Sequence, residues 1–252
     1  MNSLQKTLVL VARLIKITLR NPSRLPHVLG SALAASAEVA DPALDLLRIP
    51  RVYVEDLLPE KSGNERLTLA LFPKTSCSVS VLEYLSLALL LKKAGATRVF
   101  EFGTYKGVSI TQLALNVPAS GRICTLDLPE GQADVAFAIP DPDESHLARE
   151  SGKGGMVPAE LRGRIEFLKQ DSAKFDETPF AGQVDFVFVD GAHSADYVRS
   201  DSEKGWRMLR SGGVIAWHDF RVEDADVVRY LLQSSFKPSQ ICGTSLAFAV
   251  KP

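Results

Sequence analysis

Two short blocks that combine aspartate with histidine offer the clearest chemistry in this sequence. Asp190 and His193 lie three residues apart just after an apolar run, and His218 and Asp219 follow the next predicted strand. Histidine has an unperturbed pKa near neutrality (~6.5), which suits a general base for a weakly acidic hydroxyl group. The spacing of Asp190 and His193 can place both on one side of an incipient turn. The sequence therefore predicts catalytic roles for these two; the alternative is that Asp190 caps the next helix and His193 bonds only the backbone.

His218 and Asp219 are adjacent, which constrains how they can act together. On a regular strand, adjacent side chains point to opposite faces of the sheet, so both can address one ligand only if the strand has already ended. A Ser-His-Asp hydrolase is an alternative use of such residues, but the sequence has no Gly-x-Ser-x-Gly motif. The strand predicted there spans residues 214–217 and so ends just before the pair.

A turn with two glycines follows the first predicted strand. Gly103 permits a sharp exit from that strand, and Gly107 permits a ligand or the next helix to approach the backbone closely. The helix that starts there offers free N–H groups to an anionic or polar ligand. A plain tight turn is the alternative for this pattern alone.

Two later strand ends add to the interpretation of that turn. Asp127 lies twenty residues after Gly107, a position from which a carboxylate can accept hydrogen bonds from both ribose hydroxyls of a nucleoside. Asp171 and Ser172 end the third predicted strand and could bracket an adenine amino group. The three strand ends together predict a nucleoside-containing ligand.

The elements that must position these residues alternate between apolar strands and amphipathic helices, which is typical of a parallel sheet with crossover helices. In such sheets ligands bind beyond the carboxyl ends of the strands. The predicted strands span residues 98–102, 122–126, 165–169, 184–189, 214–217 and 246–250. The predicted helices span residues 81–93, 108–116, 195–209 and 224–232. Residues 128–162 have no clear periodicity, and we expect either a loop that closes over the site or a surface excursion.

Composition excludes several classes of protein. The chain has 252 residues, of which 46% are hydrophobic and 23% charged, values that fit one globular α/β domain with decorations. A net charge of −1 excludes a bulk electrostatic nucleic-acid binder. Three cysteines without metal-finger spacing predict a reducing compartment and a cytoplasmic protein.

The first 64 residues differ from the remainder, and we expect an N-terminal helical extension at 1–64 followed by a domain at 65–252. Residues 1–37 contain five basic side chains and no acidic one. No apolar run there approaches the ~20 residues of a membrane span. A basic amphipathic helix can lie on an anionic membrane surface. We favour the alternative that it packs on the domain or on a second subunit, which predicts a homo-oligomer.

Taken in order, these blocks resemble the motifs of the class I S-adenosylmethionine-dependent methyltransferases. The resemblance covers about residues 79–252 and is strongest to the branch of the macrocin and mycinamicin sugar O-methyltransferases, with catechol and caffeoyl-coenzyme A O-methyltransferases more distant. The blocks that carry it are Glu101-x-Gly103-x-x-x-Gly107, Asp127, Asp171-Ser172, Val189 to His193, and Leu209 to Asp219. A nicotinamide-dependent dehydrogenase is the competing fold relative, but Glu101 stands where its first glycine belongs.

The resemblance implies a Rossmann-like, doubly wound sheet of seven strands with the last strand antiparallel, and S-adenosylmethionine as cofactor. Glu101 and the glycine turn would hold its methionine part, Asp127 its ribose, and Asp171 with Ser172 its adenine. The implied cofactor-binding residues are Glu101, Phe102, Gly103, Thr104, Gly107, Ser109, Asp127, Asp171, Ser172 and Asp190.

The implied reaction is methyl transfer to a hydroxyl oxygen of a small molecule or sugar. In the sugar-methylating relatives, the block that matches Asp190 to His193 supplies a metal ligand and the base, so Asp190, His218 and Asp219 are the implied metal ligands. Relatives have a carboxylate where this chain has His218, and imidazole suits manganese better than magnesium, which prefers oxygen. A divalent metal and a metal-free polar pocket both stay open. A membrane-peripheral or hydroxylase-like relative of the same fold, without methyl transfer, is the alternative function.

Overall fold

The computed structural model describes residues 49–58, 64–73, 79–131, 134–221 and 224–252. The chain divides into two compact units, Met1–Leu46 and Leu47–Pro252, and every described residue belongs to the second. The predicted N-terminal helix lies outside the described residues, and the domain boundary at residue 64 stays a prediction. None of the helices in the described part combines the length and the apolar character that a membrane crossing requires.

Eight strands form one mixed sheet in the described part of the chain. Their order across the sheet is β1-β7-β8-β6-β5-β2-β3-β4. Strand β8 is antiparallel to both β6 and β7, and every other neighbouring pair is parallel. The strands are β1 (Arg51–Val52), β2 (Arg98–Phe102), β3 (Arg122–Asp127), β4 (Ile165–Lys169), β5 (Val184–Val189), β6 (Leu209–Trp217), β7 (Ser239–Ile241) and β8 (Ala247–Val250). The expected mostly parallel α/β sheet with an antiparallel last strand is confirmed, and β1 is an eighth strand beyond the seven expected.

Six α-helices accompany these strands in the described residues. They are α1 (Val81–Ala94), α2 (Val108–Asn116), α3 (Pro142–Arg149), α4 (Ala159–Arg162), α5 (Ala195–Met208) and α6 (Ala225–Gln233). Ser80 caps the start of helix α1: its hydroxyl accepts from the Glu83 N–H while the Glu83 carboxylate accepts from the Ser80 N–H. This capping box fixes both the start of α1 and the backbone of Glu83.

The core holds the sheet rigid behind its carboxyl edge. All six residues of β5 are buried, as a strand with helices on both faces requires. At the opposite edge, the carboxylate of Asp185 accepts from the backbone N–H groups of Thr97 and Arg98 at 2.8 Å each and from Arg210 Nε at 2.6 Å. One buried side chain thereby ties β2, β5 and β6 together, so the far ends of these strands have fixed positions.

The stretch that lacked clear periodicity contains two of the helices, α3 and α4, and α3 lies in a segment of residues 134–158 that we call the cover segment. None of the eight residues of α3 is buried. A helix without a buried face needs no apolar stripe, which is why its sequence carries no helical periodicity.

Candidate active site

A cavity of about 690 Å³ lies at the carboxyl ends of strands β2 to β6 and is bounded by the cover segment. Several predicted residues line it together: Gly103, Thr104, Ser109, Asp127, Ser172, Asp190, His193, His218 and Asp219. The other four predicted residues, Glu101, Phe102, Gly107 and Asp171, are not among those that line it. The sheet therefore gathers most of the predicted site at one edge.

Gly103 brings the ends of β2 and β5 into backbone contact. Its φ is +94°, and a Cβ built there would lie 1.9 Å from the carbonyl oxygen of Asp190. Just before it, the Phe102 carbonyl accepts from the Asp190 N–H at 2.9 Å. Any side chain at position 103 would separate these two strand ends, so the turn requires glycine.

Gly107 is also approached closely, here by the cover segment. Its φ is +86°, and a Cβ there would lie 2.4 Å from Val157 Cγ2 and 3.0 Å from Gly154 Cα. The Gly154 N–H donates to the Tyr105 carbonyl at 2.7 Å. The glycine turn and the cover segment therefore form one packed unit beside the cavity.

The carboxylate of Asp127 shapes the glycine turn and also faces the cavity. Its Oδ2 accepts from the N–H groups of Thr104 at 3.0 Å and Tyr105 at 2.8 Å. Its Oδ1 pairs with the ammonium group of Lys153 from the cover segment. Lys153 has no spacing signal that would have indicated this contact from sequence.

Glu101 is fully buried and only half satisfied. The Thr125 hydroxyl donates to its Oε2 at 2.6 Å, whereas its Oε1 has no hydrogen-bond partner among the described residues. Burial raises the pKa of Glu101 to about 8, against the lowering effect of hydrogen bonds from Ser109 and Thr125. A buried acceptor without a donor is the kind of group that a bound ligand satisfies.

Asp171 anchors the cover segment. Its Oδ2 accepts from the Ala136 N–H at 2.7 Å, and its Oδ1 accepts from the Ala173 N–H at 3.0 Å and the Tyr197 hydroxyl at 3.1 Å. Because these bonds use both oxygens, Asp171 reaches the cavity only through its neighbours Gln170 and Ser172, which line it. Its predicted place beside an adenine stays a prediction.

The carboxylate of Asp219 is the centre of the opposite half of the cavity. Asp219 has a φ of +55°, so the strand has ended there, as the adjacent histidine and aspartate required. His193 Nε2 lies 2.9 Å from its Oδ2, His218 Nδ1 2.8 Å from its Oδ2, and Arg221 Nη2 2.6 Å from its Oδ1. Burial would raise the pKa of Asp219, but hydrogen bonds from the two histidines hold it well below its usual range.

His193 is held by acidic neighbours on several sides. Burial would lower its pKa, but the hydrogen bond and charge of Asp219, followed by the charges of Glu144 and Asp190, raise it to about 9. The side chain is one-third exposed, so the ring is accessible from the cavity. Its Nδ1 lies 3.8 Å from Asp224 Oδ1.

His218 links the two strand ends to helix α1. Its Nδ1 lies 3.2 Å from Asp190 Oδ1, and its Nε2 lies 3.5 Å from Glu83 Oε1. Burial would lower the pKa of His218, but Asp190, Asp219 and Glu83 raise it well above the usual value. Glu83 also accepts from the Ser245 N–H and hydroxyl, at 2.9 and 2.7 Å. Sequence reasoning missed Glu83, which is far away in the chain.

Three side chains in the described residues are close enough to share a metal ion. Asp190, His193 and Asp219 each offer one ligand atom, and these atoms lie within 4.8 Å of one another. The family resemblance implied His218 as the histidine ligand, whereas the cluster in the structure contains His193. Two carboxylates and one imidazole suit manganese, iron or zinc better than magnesium.

Comparisons with known proteins fit this geometry. Residues 100–220 match the family model described as a methyltransferase domain. Tapetum-specific methyltransferase 1 of Arabidopsis thaliana is 28% identical over 142 residues, which cover 55% of this chain and 53% of that protein. Tricin synthase 1 of Oryza sativa subsp. japonica is 31% identical over 135 residues, which cover 52% of this chain and 48% of that protein. The chain thus spans about half the length of these relatives.

A solved structure supports the fold. The crystal structure of a candidate caffeoyl-CoA O-methyltransferase from Staphylococcus aureus is similar, with a TM-score of 0.51 and 14% sequence identity. The similarity covers 69% of this chain and 85% of that one. The expected likeness to the sugar O-methyltransferase branch stays a prediction. Residues 100–220 are thus the segment of this chain that is similar to a methyltransferase domain.

Proposed function

We propose that this protein transfers a methyl group from S-adenosylmethionine to a hydroxyl oxygen of a small molecule or sugar. The observation that carries the proposal is the hydrogen bond between His193 and Asp219 in a cavity whose other half is the glycine turn with Asp127. One half thus offers nucleoside-binding groups and the other a positioned base.

The residues present fit the cofactor. Ser109 near the start of α2 lines the cavity, and Oε1 of Glu101, which is buried behind the cavity wall, has no hydrogen-bond partner among the described residues. Asp127 lines the cavity and its Oδ1 pairs with Lys153, so a ribose must share or replace that contact. When bound, S-adenosylmethionine supplies the methyl group on a sulfonium, which is a good leaving group.

The chain's own residues must then orient and deprotonate the acceptor. In the neutral ring, His193 Nε2–H donates to Asp219, which leaves Nδ1 to accept the hydroxyl proton. The acceptor's hydroxyl proton would pass to Nδ1 as the oxygen takes up the methyl group, and Asp219 would stabilise the resulting imidazolium. Asp219 also fixes the ring orientation, so the base does not have to find its geometry during the reaction.

A metal-assisted form of the same reaction is the second candidate, because Asp190, His193 and Asp219 can share an ion. We favour the metal-free form for two reasons. A neutral imidazole that binds an ion through one nitrogen carries its proton on the other, so His193 cannot be ligand and base at once, and Asp219 already lies against His193, His218 and Arg221.

Calorimetric titration with S-adenosylmethionine, followed by a screen of hydroxylated metabolites and sugars for S-adenosylhomocysteine release, tests the proposal. We expect binding of the cofactor and release with at least one hydroxyl-bearing acceptor. A protein that binds no S-adenosylmethionine would instead favour a membrane-peripheral relative without methyl transfer. A need for a metal and a further co-substrate would favour a hydroxylase-like relative. The cytoplasmic location and the homo-oligomer stay predictions.

A further inference from the structure

Helix α3 of the cover segment contacts the loop after β5 through the side chain of Glu144. Glu144 lines the cavity, and its Oε1 accepts the backbone N–H of His193 at 2.6 Å. The two residues are 49 positions apart in the chain, and no motif connects them. The contact is therefore a product of the fold.

Glu144 has a fixed backbone. Asp141 caps α3, and its Oδ1 accepts the N–H groups of Asp143 at 2.8 Å and Glu144 at 3.0 Å. Pro142 occupies the first helical position, where its fixed φ favours the helix and its missing N–H costs nothing. The first turn of α3 is thus preorganised, and the Glu144 side chain extends from a fixed backbone position to His193.

Polar contacts hold both ends of this helix, none of whose residues is fully buried. Lys153 Nζ donates to the Ala148 carbonyl at 2.8 Å, and Lys106 Nζ lies 2.8 Å from Glu150 Oε1. Those contacts hold the carboxyl end of α3, and the bond from Glu144 to His193 holds its amino end. The position of α3 is therefore linked directly to His193, the candidate base.

His193 needs such a support. It lies between Gly191, whose backbone is conformationally permissive, and Ser194, where helix α5 begins. Asp219 binds the ring and Glu144 binds the backbone N–H of the same residue. Fixing a residue at both its main chain and its ring removes the freedom to swing the imidazole away from Asp219.

We propose that Glu144 is a positioning residue for His193. By holding the His193 backbone, Glu144 sets the imidazole against Asp219, and this geometry therefore depends on the position of helix α3. The catalytic meaning rests on the proposed function, whereas the hydrogen bond itself does not. Glu144 acts through the bond that its oxygen accepts.

Two substitutions separate the hydrogen bond from the charge. Glu144→Gln keeps an acceptor oxygen at the same distance along the side chain and removes the charge, whereas Glu144→Ala removes both. His146→Ala is the matched control, since His146 is exposed on the same helix and does not line the cavity. All three variants change a helix that buries no residue, so we expect each of them to fold.

The experiment measures hydrogen exchange of the His193 amide by NMR in the full chain, together with the Kd of S-adenosylmethionine. Loss of a hydrogen bond to a charged group predicts that Glu144→Ala raises the exchange rate of this amide roughly 10-fold or more. We expect Glu144→Gln to stay within about 3-fold of the unmodified protein, since an amide oxygen still accepts the bond. His146→Ala should leave the rate unchanged, and the Kd should be similar in all four proteins.

Turnover on an acceptor identified by S-adenosylhomocysteine release completes the test. We expect Glu144→Ala to lower kcat about 10- to 100-fold with little change in cofactor Kd, and Glu144→Gln to restore most of it. Unchanged amide exchange in Glu144→Ala would overturn the proposal, as would equal losses of kcat in the Gln and Ala variants. If the unmodified protein methylates nothing, the exchange result still decides the positioning bond, and only the proposed function fails.

Discussion

His193 Nε2 and Asp219 Oδ2 lie 2.9 Å apart although they belong to different strand ends. Strands β5 and β6 are parallel and in register, with Val189 opposite Trp217, so the residues that follow them emerge side by side. The left-handed backbone at Asp219 then turns its carboxylate toward the imidazole. A base and the acid that orients it thus come from two loops on one rigid sheet edge.

The pH dependence of turnover should report this contact. The pKa of His193 is raised to about 9, so the ring is protonated at neutral pH and accepts a proton only after losing one. Since the basic form grows as pH rises toward that pKa, kcat/KM should increase about tenfold per pH unit below pH 9 and level off above it. Asp219→Asn should move the rise to lower pH. A plateau that already begins near pH 7 in the unmodified protein would contradict the raised pKa.

Asp127 should control cofactor affinity. Replacing a carboxylate that binds ribose hydroxyls removes charge-assisted hydrogen bonds, so Asp127→Ala should weaken S-adenosylmethionine binding by about 1.5–3 kcal/mol. Titration calorimetry measures this, with Glu160→Ala as the control because Glu160 is exposed and does not line the cavity. S-adenosylhomocysteine, which has the same ribose, should lose affinity equally. Unchanged affinity for both would remove Asp127 from the nucleoside site.

Gly107 should tolerate no side chain, for a reason separate from backbone strain. Gly107→Ala and Gly152→Ala both place a side chain at a positive φ, but a Cβ at 152 meets nothing within 4 Å, whereas one at 107 meets Val157 at 2.4 Å. Overpacking of this kind costs about 1–3 kcal/mol, which should appear as the excess loss of unfolding free energy in Gly107→Ala. Denaturant unfolding of the two variants compares them directly. Equal losses of unfolding free energy in the two variants would show that the packing of residue 107 against the cover segment does not contribute to stability.

Chelation should leave turnover intact. Asp219, one of the three groups that could share an ion, already binds His193, His218 and Arg221 at 2.6 to 2.9 Å. An ion would compete with these partners for the carboxylate. We therefore expect S-adenosylhomocysteine release to continue in excess EDTA. Loss of activity that manganese restores would instead establish the metal-assisted reaction.

Much of the sheet could be predicted from the sequence because its strands are continuous apolar runs. Strands β2, β4 and β5 have the predicted bounds. Strand β6 starts five residues before the prediction, because Gly212 and Gly213 within it look like a turn. Strands β1 and β7, of two and three residues, are too short to have a detectable period. Helix α3 was missed because it buries no residue.

The site residues also fall into those that could be predicted from the sequence and those that could not. Asp190, His193, His218 and Asp219 could be predicted together because parallel strands present their carboxyl ends at one edge. Glu83, Glu144 and Lys153 could not, because each is an ordinary charged residue that reaches the site from a helix or loop. Their contacts with His218, His193 and Asp127 depend on how those elements pack. Long-range packing of this kind leaves no spacing rule in the sequence.

The role of His193 as the base can be tested by a paired measurement on the unmodified protein and His193→Ala. The two quantities are the Kd of S-adenosylmethionine and the rate of S-adenosylhomocysteine release with an acceptor that the unmodified protein methylates. We expect both proteins to bind the cofactor with similar Kd, because His193 lies in the acceptor half of the cavity. Loss of a positioned proton acceptor should lower the release rate of His193→Ala by about 10²- to 10⁴-fold. A near-normal release rate in His193→Ala would contradict the account.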